Sequence, residues 1–392
     1  MDFLPITGDA GVLATLLGVC AFFFWLERFS NWKLFQFVPP LVFIYLVPVI
    51  LANTGVLPEK SAAYDVVGSY VLPMMLVLML LNVDVGGAVR VMGRGVFVML
   101  AGSVGVVVGA TVGMAVVQRW VGDDAWKAYG ALSGSWVGGT GNMAAAGKAL
   151  EASEADLALA VLADTTILLI WLPVLLGSKR FAARFASFTQ VDPERVARME
   201  AAAATPDGPP PRAATYRDYL SLLFVAFAVT AFARAAAERL PILPPYVTGS
   251  TWLVLTVTLL GIAGSFTPLK RIPASHELGM ALIFLFMANI GATANLEHVA
   301  DQAIPFIIGA AICIAIHGLF CVGSAWLLRV DIHTAAIASA ANIGGPATAT
   351  CVAAHHRDTL MPAAVMMALL GYAIGNFAGY GAGLLCAKVS GH

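Results

Sequence analysis

Charged residues are scarce in this chain of 392 residues. Only 11% of the residues are charged, against roughly a quarter in an average soluble protein, and 59% are hydrophobic. The net charge is −1, so the chain lacks the basic surface that a nucleic-acid-binding protein needs. This composition excludes a soluble globular enzyme and predicts an all-α polytopic membrane protein.

The sequence also lacks the motifs of several other functions. It has no G-x-x-x-x-G-K-[ST] loop for ATP, no H-E-x-x-H zinc motif and no regularly spaced arginines of a voltage sensor. Its 5 cysteines are odd in number and lie in apolar segments, so we expect no disulfide framework. We therefore expect neither a cofactor nor a catalytic activity.

Twelve apolar segments are long enough, or nearly so, to enter a membrane. They lie at 10–27, 35–54, 62–83, 95–118, 127–149, 155–177, 218–237, 248–266, 276–295, 303–328, 333–355 and 359–387. The polar stretch 178–217 between them begins with a basic part that can form a surface helix and ends in a proline-rich linker. Because it carries 7 Lys and Arg residues, the positive-inside rule predicts that it lies in the cytoplasm. We expect a multi-pass protein of the plasma (inner) membrane.

The two halves of the chain carry an internal repeat. ALSGSWVGGTGNMAAAGKAL at 131–150 aligns with IASAANIGGPATATCVAAHH at 337–356, an offset of 206 residues. MLLNVDVGGAVRVM at 79–92 aligns with FMANIGATANLEHV at 286–299, where Asn82 falls on Asn289. The proline pairs at 39–40 and 244–245 give a third anchor. We interpret 1–178 as a first repeat, 179–216 as a cytoplasmic linker and 217–392 as a second repeat.

The charges flanking the segments predict that the repeats are inverted. No Lys or Arg precedes the first segment, whereas Arg28 and Lys33 follow it, which places the N-terminus outside. A path from outside to a cytoplasmic linker requires an odd number of crossings. One of the first six segments therefore does not cross, and each repeat is expected to hold one broken or re-entrant segment.

The fifth and eleventh segments are the expected breaks. The fifth contains SGSWVGGTGN, with four glycines, and the eleventh contains Gly344-Gly345-Pro346. An interior glycine costs a helix about 1 kcal/mol relative to alanine, and proline removes a backbone donor. Broken backbone at membrane depth is tolerated where it is buried in protein or lines an aqueous cavity. A glycine-rich packing contact between helices is the alternative interpretation.

Polar side chains cluster at these breaks and predict a binding site. For a solute we select Ser133, Ser135, Gly138, Gly139, Thr140, Asn142, Asn342, Gly344, Gly345 and Thr348. For a coupling cation we select Asp164, Thr165, Asn142, Asn342, Thr348 and Asn376. Asp164 is a carboxylate at bilayer depth, where insertion costs at least about 2.5 kcal/mol. A structural aspartate and threonines bonded to their own helices are the alternatives.

The motifs GGTGN at 138–142 and NIGGPATA at 342–349 resemble the YjcL-like family of bacterial and plant integral membrane proteins. The resemblance covers most of the chain. It implies membership of a superfamily that contains sodium–glutamate symporters, bile-acid symporters and cation–proton antiporters, with inverted repeats, discontinuous segments, and a scaffold part against which a core part moves. The G-G-x-G tip of the citrate–sodium symporters matches 138–141, but not 344–347.

These observations predict a secondary transporter that couples a small organic anion, such as an amino acid, a dicarboxylate or a small peptide, to Na+ or H+. Helix N-termini at the two breaks favour an anion, and freed carbonyls favour a cation. The rivals are a cation–proton antiporter that uses Asp164, and an intramembrane enzyme with Asp164 and His317. The expected partners are the solute, a monovalent cation and the bilayer; the sequence leaves a homodimer open.

Overall fold

A computed structural model describes the chain except residues 1–5, 7, 31–34, 36–39, 82, 204–211, 244–246 and 295–298, and the side chains at 85, 193, 195, 200, 202, 203, 299 and 300. Asn82 therefore lies outside the described residues. The described part is 84% helix, without a strand. Eight of its helices are long and apolar enough to cross a membrane. The predicted all-α membrane fold is confirmed at this level.

The helices of the first half follow the predicted segments within a few residues. They are α1 (Asp9–Ser30), α2 (Pro40–Asn53), α3 (Ala62–Leu80, with a π-helical turn at Val67–Val71), the short amphipathic α4 (Val85–Met92), α5 (Arg94–Val117), α6 (Ala125–Gly138), α7 (Thr140–Ala149) and α8 (Glu154–Ser178). Two linker helices follow, α9 (Ala182–Thr189) and α10 (Pro193–Ala203).

The helices of the second half also follow the predicted segments within a few residues. They are α11 (Tyr216–Ala237), α12 (Gly249–Ser265), α13 (Ser275–Thr293), α14 (Val299–Leu328), α15 (Ile332–Asn342), α16 (Gly345–His356) and α17 (Met361–Ser390). The fifth and eleventh predicted segments are thus each divided into two helices, at the glycine pairs where a break was predicted.

The fifth segment is a helical hairpin, which we call hairpin 1 (residues 125–149). A β-carbon added to Gly147 in α7 would lie 3.7 Å from the Ala131 β-carbon in α6. One added to Gly134 would lie 3.0 Å from the Ala146 β-carbon. These contacts pair early residues of α6 with late residues of α7, so the two arms are antiparallel. The chain reverses at Gly139, whose φ of 77° suits glycine.

The eleventh segment is a second hairpin, hairpin 2 (residues 332–356). His333 and His356, at the outer ends of α15 and α16, bring their Nδ1 atoms within 3.0 Å of each other. The arms therefore also run antiparallel, and the chain reverses at Gly344 and Gly345, with φ of 102° and 65°. Arms of 10 to 14 residues are about 15–21 Å long, which is at least half the thickness of a hydrocarbon core of roughly 30 Å.

A cross-linking experiment tests hairpin 1 directly. With Ala131→Cys and Gly147→Cys combined in a background without the native cysteines, we expect a disulfide on mild oxidation, because the β-carbon separation of 3.7 Å is that of natural disulfides. In a straight crossing helix the same positions would be about 24 Å apart, so absence of the cross-link in membranes would contradict the hairpin. The cross-link is detected by its effect on mobility in denaturing electrophoresis without reductant. Each single-cysteine variant shows the mobility of the chain without the cross-link.

Each hairpin is fastened at its base to a different part of the chain. At the base of hairpin 1, Thr251 Oγ1 at the start of α12 donates to the Ala149 carbonyl at 2.8 Å. At the base of hairpin 2, Lys179 Nζ at the start of the linker donates to the His355 carbonyl. The two bases are thus tied to chain positions separated by the whole length of α11.

The helices form two groups. One group joins α5, α8, α14 and α17 to both hairpins, and the other consists of α1–α3 and α11–α13. Within the first group α5 and α14 are antiparallel and in close contact, since a β-carbon at Gly109 would meet the Cys313 carbonyl and one at Gly113 the Gly309 backbone. Close backbone approach of this kind holds membrane helices together by van der Waals packing. We call these the hairpin group and the frame group.

Candidate functional site

The tips of both hairpins meet at Tyr372 in α17. A β-carbon at Gly139 would lie 3.1 Å from Tyr372 Cε1, and one at Gly345 would lie 4.0 Å from Tyr372 Oη. Tyr372 is only 7% exposed. The two glycine pairs, which are 206 residues apart in the sequence, therefore both lie next to one buried tyrosine.

Each tip presents the N-terminus of a helix. The second arm of hairpin 1, α7, begins at Thr140 after Gly139. The second arm of hairpin 2, α16, begins at Gly345 after Gly344. Neither start is capped by a side chain. Uncapped N-terminal N–H groups carry a partial positive charge and bind anions. The tips therefore offer two donor sites to a negatively charged group.

A narrow, largely apolar crevice opens beside the tip of hairpin 1. Its lining consists of Met75, Leu76, Met79 and Leu80 from α3, Ile283 from α13, Gly141 and Asn142 from hairpin 1, and Tyr372. The frame group thus supplies apolar walls, and the hairpin group supplies the polar atoms. The crevice is small, with a volume of about 10 Å³.

Two buried asparagines in this region have an oxygen without a donor. Asn142, 2% exposed, donates from Nδ2 to the Gly138 carbonyl at 2.6 Å. Asn376, 1% exposed, donates from Nδ2 to Thr258 Oγ1 at 2.6 Å. No described group donates to the Oδ1 atom of either residue. A buried unpaired acceptor costs about 1–3 kcal/mol, so each oxygen calls for an explanation.

Asp164 has protein partners for both carboxylate oxygens. Trp136 Nε1 in α6 donates to Oδ1 at 2.7 Å, and Ser135 Oγ donates to Oδ2 at 3.3 Å. The Asp164 carboxylate in α8 therefore holds α6, the first arm of hairpin 1. Thr165 is half-buried on the same helix, and neither residue lines the crevice beside Tyr372.

The Asn342 side chain, just before the tip of hairpin 2, is bonded to α5. Its Nδ2 donates to the Met99 carbonyl at 2.9 Å, and its Oδ1 accepts from Ser103 Oγ at 3.3 Å. One turn earlier, Ser339 Oγ lies 2.8 Å from His317 Nε2, while His317 Nδ1 lies 2.9 Å from the Gly102 carbonyl. Since Nδ1 faces an acceptor, it carries the proton of a neutral ring, and Ser339 donates to Nε2. These bonds fix hairpin 2 to α5 and α14.

The other predicted residues divide between the tips and the helix backbone. Ser133 donates to the Tyr129 carbonyl of its own helix at 2.7 Å, as the alternative interpretation of such hydroxyls expects. Thr348 packs beside Gly344 at the tip of hairpin 2, where a β-carbon at Gly344 would lie 2.8 Å from the Thr348 β-carbon. Thr140 is half-buried at the tip of hairpin 1.

Sequence reasoning missed Tyr372, Thr258 and the glycine stripe of α17. The stripe consists of Gly371, Gly375, Gly379 and Gly383, and it packs against Gly130, Gly134 and Gly138 of α6. Their four-residue spacing is visible in the sequence and is the known signature of close helix contact. It would have identified α17 as the neighbour of hairpin 1.

Comparison with known proteins places this architecture in a family. Residues 14–389 match the family described as "Protein of unknown function (DUF819)". The chain is 29% identical over 347 residues to the "Uncharacterized membrane protein YjcL" of Bacillus subtilis (strain 168), which covers 84% of this chain and 85% of the relative. The resemblance to YjcL-like membrane proteins is thereby confirmed.

Proposed function

The chain belongs to the family described as "Protein of unknown function (DUF819)" and is similar to a membrane protein, and we propose that it is a secondary active transporter of a small organic anion. The observation that carries the proposal is the meeting of two uncapped helix N-termini at Tyr372, beside oxygens that lack a donor. The uncapped N–H groups suit an anion and the oxygens suit a cation.

The chemistry of the crevice supports an amino acid, a dicarboxylate or a small peptide as the solute. A carboxylate would take the N–H groups at Thr140 and Gly345, and the remaining part would lie against Met75, Met79 and Ile283. Flexible methionine side chains adapt to solutes of different shapes. Positively charged side chains are not needed to hold the anion, because the helix termini supply the positive potential.

The contacts at the hairpin bases support an inverted arrangement of the repeats. Hairpin 2 is tied to Lys179, next to the cytoplasmic linker, and hairpin 1 is tied to Thr251, beyond the membrane-spanning α11. Two hairpins that enter the membrane from opposite sides would meet at its middle. A solute bound at the tips would then be separated from each side of the membrane by one hairpin. The distribution of Lys and Arg supports a linker on the cytoplasmic side of the plasma membrane.

Alternating access would follow from movement of the hairpin group against the frame group. Hydrogen bonds from Ser339 and Asn342, and the glycine contacts between α6 and α17, bind each hairpin to its neighbours within the hairpin group. The crevice lies between the two groups. A rigid movement of the hairpin group, as in an elevator, would break the hydrogen bonds of Ala149 and Asn376 to α12. It would carry the site across in the manner that the resemblance to the sodium-coupled symporters implies.

The experiment is a screen of the purified protein against amino acids, dicarboxylates and small peptides, by thermal unfolding in NaCl and in KCl. A bound ligand stabilises by RT ln(1 + [L]/Kd), so one solute class should raise the unfolding temperature. That solute should then accumulate in proteoliposomes under a Na+ or H+ gradient. Cation–proton exchange without movement of any organic solute would replace this proposal with the antiporter.

A further inference from the structure

The two asparagines that carry the unpaired amide oxygens lie at one level beside hairpin 1. The contact between Thr251 and Ala149 sets the register of the antiparallel pair α12 and α7. Seven residues further along each helix, about 10 Å deeper, lie Thr258 and Asn142. Asn376 bonds to that same Thr258, and its neighbour Gly375 packs on the Asn142 amide, where a β-carbon would lie 2.7 Å from Nδ2.

The hydrogen-bond network fixes which end of each amide is unpaired. Turning the Asn142 amide over would place its oxygen against the Gly138 carbonyl, an acceptor facing an acceptor. Thr258 Oγ1 already donates to the Val254 carbonyl at 2.7 Å, so only a donor at Asn376 satisfies it. In both residues the NH2 group is therefore used internally, and Oδ1 is left unpaired.

The end of α6 adds negative potential at this place. Helix α6 ends at Gly138, whose carbonyl accepts from Asn142, and the last carbonyls of a helix carry a partial negative charge. A β-carbon at Gly371 would contact the Val137 carbonyl, and one at Gly375 would lie 2.8 Å from the Gly138 α-carbon. The terminal turn of α6 and both asparagines are thus adjacent to one segment of α17.

We infer that Asn142 Oδ1 and Asn376 Oδ1, with carbonyls at the end of α6, form a binding site for a sodium ion. Amide and carbonyl oxygens are hard ligands that suit such a cation. Neutral ligands leave a second charge without compensation, which favours a monovalent ion. Amide oxygens do not take up a proton in the physiological range, so the ion at this site is a metal cation and not H+.

Sodium binding is measured on the purified full-length protein by thermal unfolding, with NaCl replacing choline chloride at constant ionic strength. We expect Na+ at about 100 times its dissociation constant to raise the midpoint by at least about 3 °C. Asn376→Ala should lose this shift. The control is Asn342→Ala, which removes an equally buried amide whose oxygen and nitrogen both have partners, and it should keep the shift.

Direct binding of radioactive sodium to the wild-type protein keeps the inference testable if a variant fails to fold. Saturable binding that excess unlabelled Na+ displaces supports the site. A midpoint that does not respond to Na+, together with no saturable binding, would show that ordered water satisfies the two oxygens and would overturn it. Stronger stabilisation by K+ than by Na+ would also overturn it.

The role of this ion as the coupling ion rests on the proposed function, but the binding site does not. If Na+ binds and no organic solute moves in proteoliposomes, the site stands and the transport proposal fails. If a solute accumulates under a proton gradient and Na+ does not bind, the transport proposal stands and this site fails.

Discussion

Replacing Gly345 with leucine should reduce solute uptake to background while the protein still inserts and folds. A β-carbon at Gly345 has space, since its nearest neighbour is Tyr372 Oη at 4.0 Å, but a leucine side chain would fill the gap between the tip and the ring. The φ of 65° adds a cost of about 1–2 kcal/mol for a residue with a β-carbon. Uptake into proteoliposomes, with the unfolding temperature as a check on folding, measures the outcome.

A matched control is Gly323→Leu in α14. Gly323 is exposed, and a β-carbon there would meet no atom within 4 Å, so uptake should remain at the wild-type level. Gly139→Leu should behave like Gly345→Leu, because Gly139 has φ of 77° and also lies against Tyr372. Full uptake by a well-folded Gly345→Leu variant would show that the two tips are not part of the solute site.

The positions of the two breaks could be predicted because their causes are local. Gly138-Gly139 and Gly344-Gly345 weaken a helix wherever they occur, and Pro346 removes a donor. The apolar lengths that define the twelve segments are likewise a property of the chain and the bilayer. For these features, no knowledge of neighbouring helices is required.

The direction of the chain after each break could not be predicted in the same way. A glycine pair permits either a kinked crossing or a reversal, and the choice depends on what the second arm packs against. In hairpin 1 this partner includes α12, whose Thr251 holds the Ala149 carbonyl from 102 residues away. The direction of a side chain likewise depends on the helices that pack around it. Asn142 and Asn342 are both buried amides next to a break, yet only Asn142 keeps an unpaired oxygen.

Tyr372 is the clearest example of a site residue that could not be predicted from the sequence. Nothing in its own segment separates it from an ordinary membrane tyrosine, and its repeat partner in the first half has no similar ring. It becomes a site residue only because the glycine stripe of α17 brings its helix against α6. A tertiary contact thus decides its role, and the sequence carries only the spacing that permits this contact.

Asp164→Asn should keep both uptake and the sodium shift. The sequence predicts Asp164 as a cation ligand, but its oxygens accept from Trp136 at 2.7 Å and from Ser135 at 3.3 Å. An asparagine oxygen still accepts from Trp136, and its NH2 group can donate to the Ser135 hydroxyl, which accepts as well as donates. The unfolding temperature and the dependence of uptake on Na+ and on pH measure the result.

Asp164→Leu supplies the contrast. It leaves the Trp136 N–H without an acceptor, at a cost of about 1–3 kcal/mol, so the unfolding temperature should fall while the shift caused by Na+ persists in the folded protein. If the Asp164→Asn variant instead loses the pH dependence of uptake, the carboxylate is the coupling group and the ion is a proton. The charge at Asp164 and the amide oxygens of Asn142 and Asn376 therefore distinguish proton coupling from sodium coupling.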